Sequence, residues 1–135
     1  MNLNTLYHCV FSLQYHLVIV TKCRKKCLTK VMLDDFDKQA RERCAAWGGR
    51  LIESHGEADH VHLLVELPPT VALADFVNAL KTGTSRRLRN EYAEHLRHFY
   101  DKAVLWSRSY CVISCGGAPL DIIKQYIQQQ ARPDD

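Results

Sequence analysis

Residues 60–67, HVHLLVEL, constrain the fold more than any other stretch of this chain. Val61, Leu63, Val65 and Leu67 alternate with His60, His62, Leu64 and Glu66. A β-strand sends successive side chains to opposite faces. The alternation therefore sets one apolar face against a core and turns two histidines together to the other side. Pro68–Pro69 close the run, because proline donates no ladder hydrogen bond. RLIESHGE (50–57) reads as a preceding strand, and Ala58–Asp59 between the two runs fit a hairpin turn.

Two longer stretches carry helical spacing. In 31–49, Leu33, Phe36, Ala40 and Cys44 fall near the helical period. Asp34, Asp35 and Asp37 favour the start of this helix, and Gly48–Gly49 supply a stop. Residues 70–96 read as helical with a weak middle at Thr82–Gly83–Thr84. YHLVIVT (15–21) and SYCVISC (109–115) read as strands. Gly116–Gly117 break the last strand, and Pro119 opens a final helix, PLDIIKQYIQQQ. The order β-α-β-β-α-β-α is the split βαβ pattern. It predicts an α+β, ferredoxin-like fold: a four-stranded antiparallel sheet, helices on one face, and an added C-terminal helix. With 135 residues and no linker or repeat, residues 1–135 read as a single domain. Such a fold hosts many activities and fixes none of them.

Composition narrows the class. No apolar run approaches the roughly 18 residues of a membrane helix. The segment FSLQYHLVIV (11–20) is broken by polar residues and lacks a secretory pattern. The expected address is the cytoplasm, with no membrane partner. Cysteines at 9, 23, 27, 44, 111 and 115 form no CxxC pair, so they read as reduced, mostly buried thiols. A zinc site from Cys23 and Cys27, or from Cys111 and Cys115, lacks paired knuckles. The net charge is only +3, but the cations are clustered. Lys22, Arg24, Lys25, Lys26 and Lys30 stand in one acid-free stretch, and Lys81, Arg86, Arg87 and Arg89 in another. Two such patches suit a polyanion, and equally suit a solvated surface.

His60 and His62 lie about 7 Å apart at Cα, at roughly 3.3 Å rise per residue, and can converge on one metal ion. Taken alone, such a pair is more often two partly buried histidines. In the final helix, Ile122, Tyr126 and Gln130 recur four residues apart and form a slanted ridge beside the stripe of Leu120, Ile123 and Ile127. That places Tyr126 at the border of the buried face, where its hydroxyl reaches a cleft or simply water.

HVHLLVELPP (60–69), LWSRSYCVISCGGAPLDIIKQYIQQQ (105–130) and YHLVIVTKCRKKCL (15–28) together resemble the single-tyrosine HUH transposases, the TnpA enzymes of the insertion-sequence 200/605 group. A His–apolar–His pair alone is unspecific; followed by GGAPLxxxKxYIxxQ it is highly specific. The resemblance covers nearly the whole chain. It implies that His60 and His62 bind a divalent metal, that Gln130 completes the metal shell, and that Tyr126 is the nucleophile. Either Glu57 or Asp59 matches an acidic residue near the metal. Cys23 departs from the family, standing where a tyrosine is common.

The resemblance further implies cleavage and rejoining of single-stranded DNA at insertion-sequence ends through a 5′-phosphotyrosine, with recognition of DNA hairpins. It implies Mg²⁺ in the cell, with Mn²⁺ able to substitute. It implies a homodimer in which the tyrosine helix of one subunit completes the histidine site of the other, with Gly116–Gly117 as hinge. Lys22, Arg24, Lys25, Lys26, Arg86 and Arg87 become the expected DNA contacts. The residue types suit the chemistry. A cation polarises a scissile phosphate, imidazole and amide ligands leave positions open, and a tyrosyl phosphodiester conserves the bond for rejoining. An RNA-binding module on a similar sheet would stack bases on aromatic residues, which the 60–67 strand does not offer. A metal-dependent hydrolase would use water, and would not need Tyr126.

Overall fold

The computed structural model describes residues 4–6, 9–114 and 126–129, with the side chains described from residue 11 onward. A two-stranded antiparallel ladder, β1 (Asn4–Leu6) and β2 (Cys9–Phe11), precedes the main sheet. These strands are too short for alternation to announce them. The main sheet contains β3 (Gln14–Val20), β4 (Arg50–Glu57), β5 (His60–Glu66) and β6 (Cys111–Ser114). Its order is β4-β5-β3-β6, and every pairing is antiparallel. This is the split βαβ arrangement that the element order predicts.

The register places the two histidines. His62 lies opposite Val18 and His60 opposite Val20 on β3. On the far side of β3, Val18 pairs with Cys111, while Thr21 bridges to Trp106. Three residue steps on β3 therefore face five on the other strand. Residues 107–110 bulge out of the ladder, so β6 starts two residues later than the expected 109. Within the bulge the Ser107 amide donates to the Val20 carbonyl (2.8 Å), and the Ser109 amide approaches Ser107 Oγ (3.4 Å).

The helix α1 (Lys30–Ala46) begins at a cap, not at the aspartates. Thr29 Oγ1 accepts from the Met32 amide (3.2 Å), satisfying one of the orphan donors of the first turn. Phe36, Ala40 and Cys44 are buried as their spacing predicts. Next comes α2 (Leu73–Glu91), which runs unbroken through Thr82–Gly83–Thr84. Two contacts override the low propensity there. Arg43 of α1 lies against Gly83 so closely that a Cβ would collide with its guanidinium. Thr84 Oγ1 donates to the Leu80 carbonyl (2.7 Å) and accepts from Trp106 Nε1 (3.0 Å), so the buried polar middle is satisfied. A short helix, α3 (Ala93–Leu96), follows.

Leu17 and Ile19 of β3, Val61, Leu63, Val65 and Leu67, and Phe36, Phe76, Leu80 and Leu88 of the helices form one core. Each large apolar side chain buried there contributes about 1.5–3 kcal/mol. Edge-to-face contacts, Phe36 with Trp106 and Trp47 with Phe76, join the layers. No helix among the described residues is long and apolar enough to cross a membrane.

Cys27 and Cys44 are buried, as expected, and Cys23 and Cys111 are half-buried. Burial pushes the Cys44 thiol up to about 11 from the ordinary 9.0, partly offset by Arg41. Between those pH values the folded chain keeps a proton that the unfolded chain gives up, so stability falls as pH rises through the window. Chemical denaturation at stepped pH is expected to show a steeper decline for the wild type than for Cys44→Ala. Iodoacetamide at pH 8 is expected to leave Cys44 unmodified until the protein is denatured.

Candidate active site

The sheet face opposite the helices is itself covered around β3. Val18 and Val20 are fully buried there, and Cys111, Ile113, Tyr126 and Ile127 pack against them. Two β-branched side chains on a solvent face would forfeit their burial energy. Residues 126–129 are helical, and Tyr126 and Ile127 supply that cover. Gly116, Gly117 and Gln130, the expected hinge and metal ligand, lie outside the described residues.

His60 and His62 point to this same face, partly buried, as their alternation predicts. His60 Nδ1 is 2.8 Å from Asp59 Oδ1, while Arg24 Nε donates to Asp59 Oδ2 at 2.6 Å. Burial alone would raise the Asp59 carboxyl; hydrogen bonds from His60 and Arg24 outweigh it, and the pKa ends below the ordinary carboxylate value. Of the two acidic candidates, Asp59 touches His60, whereas Glu57 is exposed at the opposing position on β4. Asp59 is the second residue of the hairpin turn, which is why its carboxylate meets its neighbour's ring.

Arg24 reaches Asp59 through an unusual backbone. Cys23 (φ 55°) and Arg24 (φ 52°) are both left-handed, within a 3-10 turn over Lys22–Arg24. Thr21 Oγ1 holds the turn closed on the Lys25 carbonyl (2.7 Å). Such strain persists only where its surroundings fix it, and here it delivers a guanidinium to the base of the histidine pair.

His62 Nε2 lies 3.0 Å from Nδ1 of His16, with ring centroids 5.2 Å apart. His16 precedes Val18 by two residues, so it shares the face and sits diagonally from His62. Burial, with the nearby charges of His16, His55 and His60, lowers the His62 pKa and so favours the neutral ring. Sequence reasoning passed over His16, although its parity with Val18 and Val20 was visible.

Tyr126 reaches the other flank of β3. Its hydroxyl is 2.9 Å from Ser109 Oγ, in the bulge before β6, and Ser109 Oγ lies 3.4 Å from Ser107 Oγ. The histidines and the hydroxyl thus stand on one sheet face with β3 between them, two strand spacings or about 10 Å from β5 to β6.

A divalent ion suits this donor set. Asp59 at Nδ1 orients the His60 ring and leaves Nε2 for a ligand, the carboxylate–histidine arrangement common at metal sites, and the His62 ring favours its neutral form. Among the described residues, no group of three or more His, Cys, Asp or Glu could hold a metal, so the imidazole pair requires a donor from elsewhere.

Of the six expected DNA contacts, Arg24, Lys25 and Arg87 have side-chain partners within the fold. Arg24 holds Asp59; Lys25 Nζ donates to the Phe99 carbonyl (2.6 Å); Arg87 lies near Asp35 (3.4 Å) and Glu91 (3.2 Å). Lys26 and Arg86 are exposed, and Lys22 lies in the 3-10 turn.

The sequence and the fold both match known proteins. A family model described as "Transposase IS200 like" matches residues 9–130. The ISDra2 transposase TnpA of Deinococcus radiodurans is 33% identical over 121 residues, covering 90% of this chain and 86% of that protein. A transposase for insertion sequence element IS200 from Salmonella typhimurium is 28% identical over 130 residues, covering 96% and 84%. A crystal structure described as that of a transposase from Deinococcus radiodurans R1 superposes with a TM-score of 0.85 at 30% identity, covering 94% of this chain and 97% of that one. A REP-associated tyrosine transposase bound to a REP hairpin shares the fold at 8% identity, with a TM-score of 0.58 over 94% of this chain and 68% of that one. A split βαβ sheet that sets a histidine pair and a helical tyrosine on one face, matched along nearly its whole length, places this chain in the IS200-like transposase family.

Proposed function

We propose that this chain cuts and rejoins single-stranded DNA at the ends of an insertion sequence, with Tyr126 as the nucleophile. The observation that carries the reading is the placement of the Tyr126 hydroxyl and the His60–His62 pair on one sheet face, flanking the same strand. The Tyr126 oxygen forms a bond to phosphorus as its proton leaves, and the bond from phosphorus to the 3′ oxygen breaks. The released strand takes up a proton and ends in a 3′-hydroxyl; the other strand stays on Tyr126 through its 5′-phosphate. Reversal with a different 3′-hydroxyl rejoins DNA without an external energy source.

His60 and His62 hold a divalent cation, Mg²⁺ with Mn²⁺ able to substitute, and Gln130 supplies a further donor. When bound, that cation offsets charge developing on the phosphate. Asp59 and Arg24 keep the His60 ring in the orientation that exposes Nε2. The Tyr126 ring, seated on Val18 and Val20, fixes the reach of its hydroxyl. The chain works as a homodimer, with the tyrosine of one subunit serving the histidines of the other, on DNA that folds into hairpins, in the cytoplasm. Lys22, Lys26 and Arg86 contribute phosphate contacts.

Strand polarity tests this chemistry. With Mg²⁺ or Mn²⁺ and a hairpin oligonucleotide from DNA flanking the gene, a 3′-end label is expected to become protein-linked. A 5′-end label should be released on a fragment that a polymerase extends. A protein-linked 5′ label contradicts the reading, and free fragments with no linked product indicate hydrolysis by water.

A further inference from the structure

Two depressions lie on the helix layer beside residues 100–108. The first is lined by Arg89, Arg97, Lys102 and Tyr100, among others, and the second by Lys81, Arg89 and Arg108. They share Arg89, Ala103 and Val104, and so form one groove. No Asp or Glu lines either part. Two acids stand nearby: exposed Asp101, between Tyr100 and Lys102 in sequence, and Glu94, paired with Arg97 at 3.2 Å, both of the latter so exposed (89% and 70%) that water and salt weaken the pair.

The cations are set by α2. Lys81, Ser85 and Arg89 recur four residues apart on one ridge, and Arg89 Nε donates to Ser85 Oγ (3.0 Å). Lys81 Nζ donates to the carbonyls of Ser107 (2.7 Å) and Arg108 (2.9 Å), pinning the groove's end to α2. Eight residues of helix span about 12 Å, the rise of three to four nucleotides at about 3.4 Å each. Arg86 and Arg87, on another side of the helix, line a depression with Arg43 and Glu91.

The groove also leads somewhere. Ser107 lines it, and Ser107 Oγ is 3.4 Å from Ser109 Oγ, which holds the Tyr126 hydroxyl at 2.9 Å. We propose that this groove is a phosphate-backbone track that delivers DNA to Tyr126, with Arg89, Arg97, Lys102 and Arg108 as its contacts. The inference rests on the DNA-cutting function above and adds the surface that guides the substrate. A run of cations lined by no acid, open along its length and ending beside the 107–110 bulge whose Ser109 holds the Tyr126 hydroxyl, fits a polyanion better than a single small anion.

The test compares two triple variants of the full chain that lose equal charge. Arg97→Gln, Lys102→Gln and Arg108→Gln empty the groove of exposed cations; Lys38→Gln, Arg41→Gln and Arg50→Gln remove exposed cations of α1 and β4. Binding is read by fluorescence anisotropy across a salt series, with a hairpin probe carrying a single-stranded tail and an unstructured probe of equal length. Thermal unfolding checks that both variants fold. The groove variant is expected to bind about 10–100-fold more weakly, with a salt slope reduced by about 2–3, roughly one per lost phosphate contact. The control variant is expected to bind as the wild type does. Loss with both probes assigns the track to a single strand, and loss with the hairpin alone assigns it to the stem. Equal losses in the two variants overturn the track while leaving DNA cutting intact; a wild type that binds neither probe overturns both.

Discussion

Tyr126→Phe is expected to yield no covalent protein–DNA product, a loss of roughly 10³-fold or more, as for removal of a nucleophile elsewhere. The substitution deletes one oxygen. The ring stays against Val18 and Val20, and the bond to Ser109 that is lost is worth about 1 kcal/mol. Fold and DNA affinity should therefore survive. The measurement is a denaturing gel with a 3′-labelled oligonucleotide, read beside a native binding assay. Undiminished cleavage by the phenylalanine variant would assign the attack to water.

His60→Ala is expected to lower cleavage by about 10²-fold or more, because it removes a metal ligand and leaves the Asp59 carboxylate facing Arg24 alone. Asp59→Ala should cost about 10–100-fold through the orientation of that ring. Calorimetric titration of Mn²⁺ reads the same losses without activity. Mixing His60→Ala with Tyr126→Phe then tests sharing. If sites form between subunits, a mixed dimer pairs an intact histidine site with an intact tyrosine, and cleavage returns. If sites form within one chain, every site in the mixture carries a defect, and none returns. Symmetric dimers make this pairing geometry available.

What the sequence disclosed follows from periodicity. Alternation in 60–67 correctly turned Val61 and Leu63 inward and both histidines outward, because a strand period of two leaves no choice once one face is buried. The spacing of Phe36, Ala40 and Cys44 located α1, although Thr29 decides where it begins. Thr82–Gly83–Thr84 looked weak because local propensity does not report Arg43 packed on Gly83 or Trp106 bonded to Thr84. What remained hidden depends on pairing between distant segments. His16 meets His62 only through the β3–β5 register, and Ser109 meets Tyr126 only because residues 107–110 bulge. Charge clustering likewise does not report how the fold uses each cation: Arg24 and Arg87 carry acidic partners, and Arg97, Lys102 and Arg108, scattered in sequence, line one groove.

The most direct test of the nucleophile is mass spectrometry of the covalent product. The wild-type protein is incubated with the hairpin oligonucleotide and Mg²⁺, the DNA is digested to a short remnant, and the protein is cleaved into peptides. The account predicts a nucleotide mass on the peptide containing Tyr126, joined through a 5′-phosphate to the tyrosyl oxygen. A remnant on Tyr100, Tyr110 or Ser109, or cleaved DNA with no modified peptide, would contradict it.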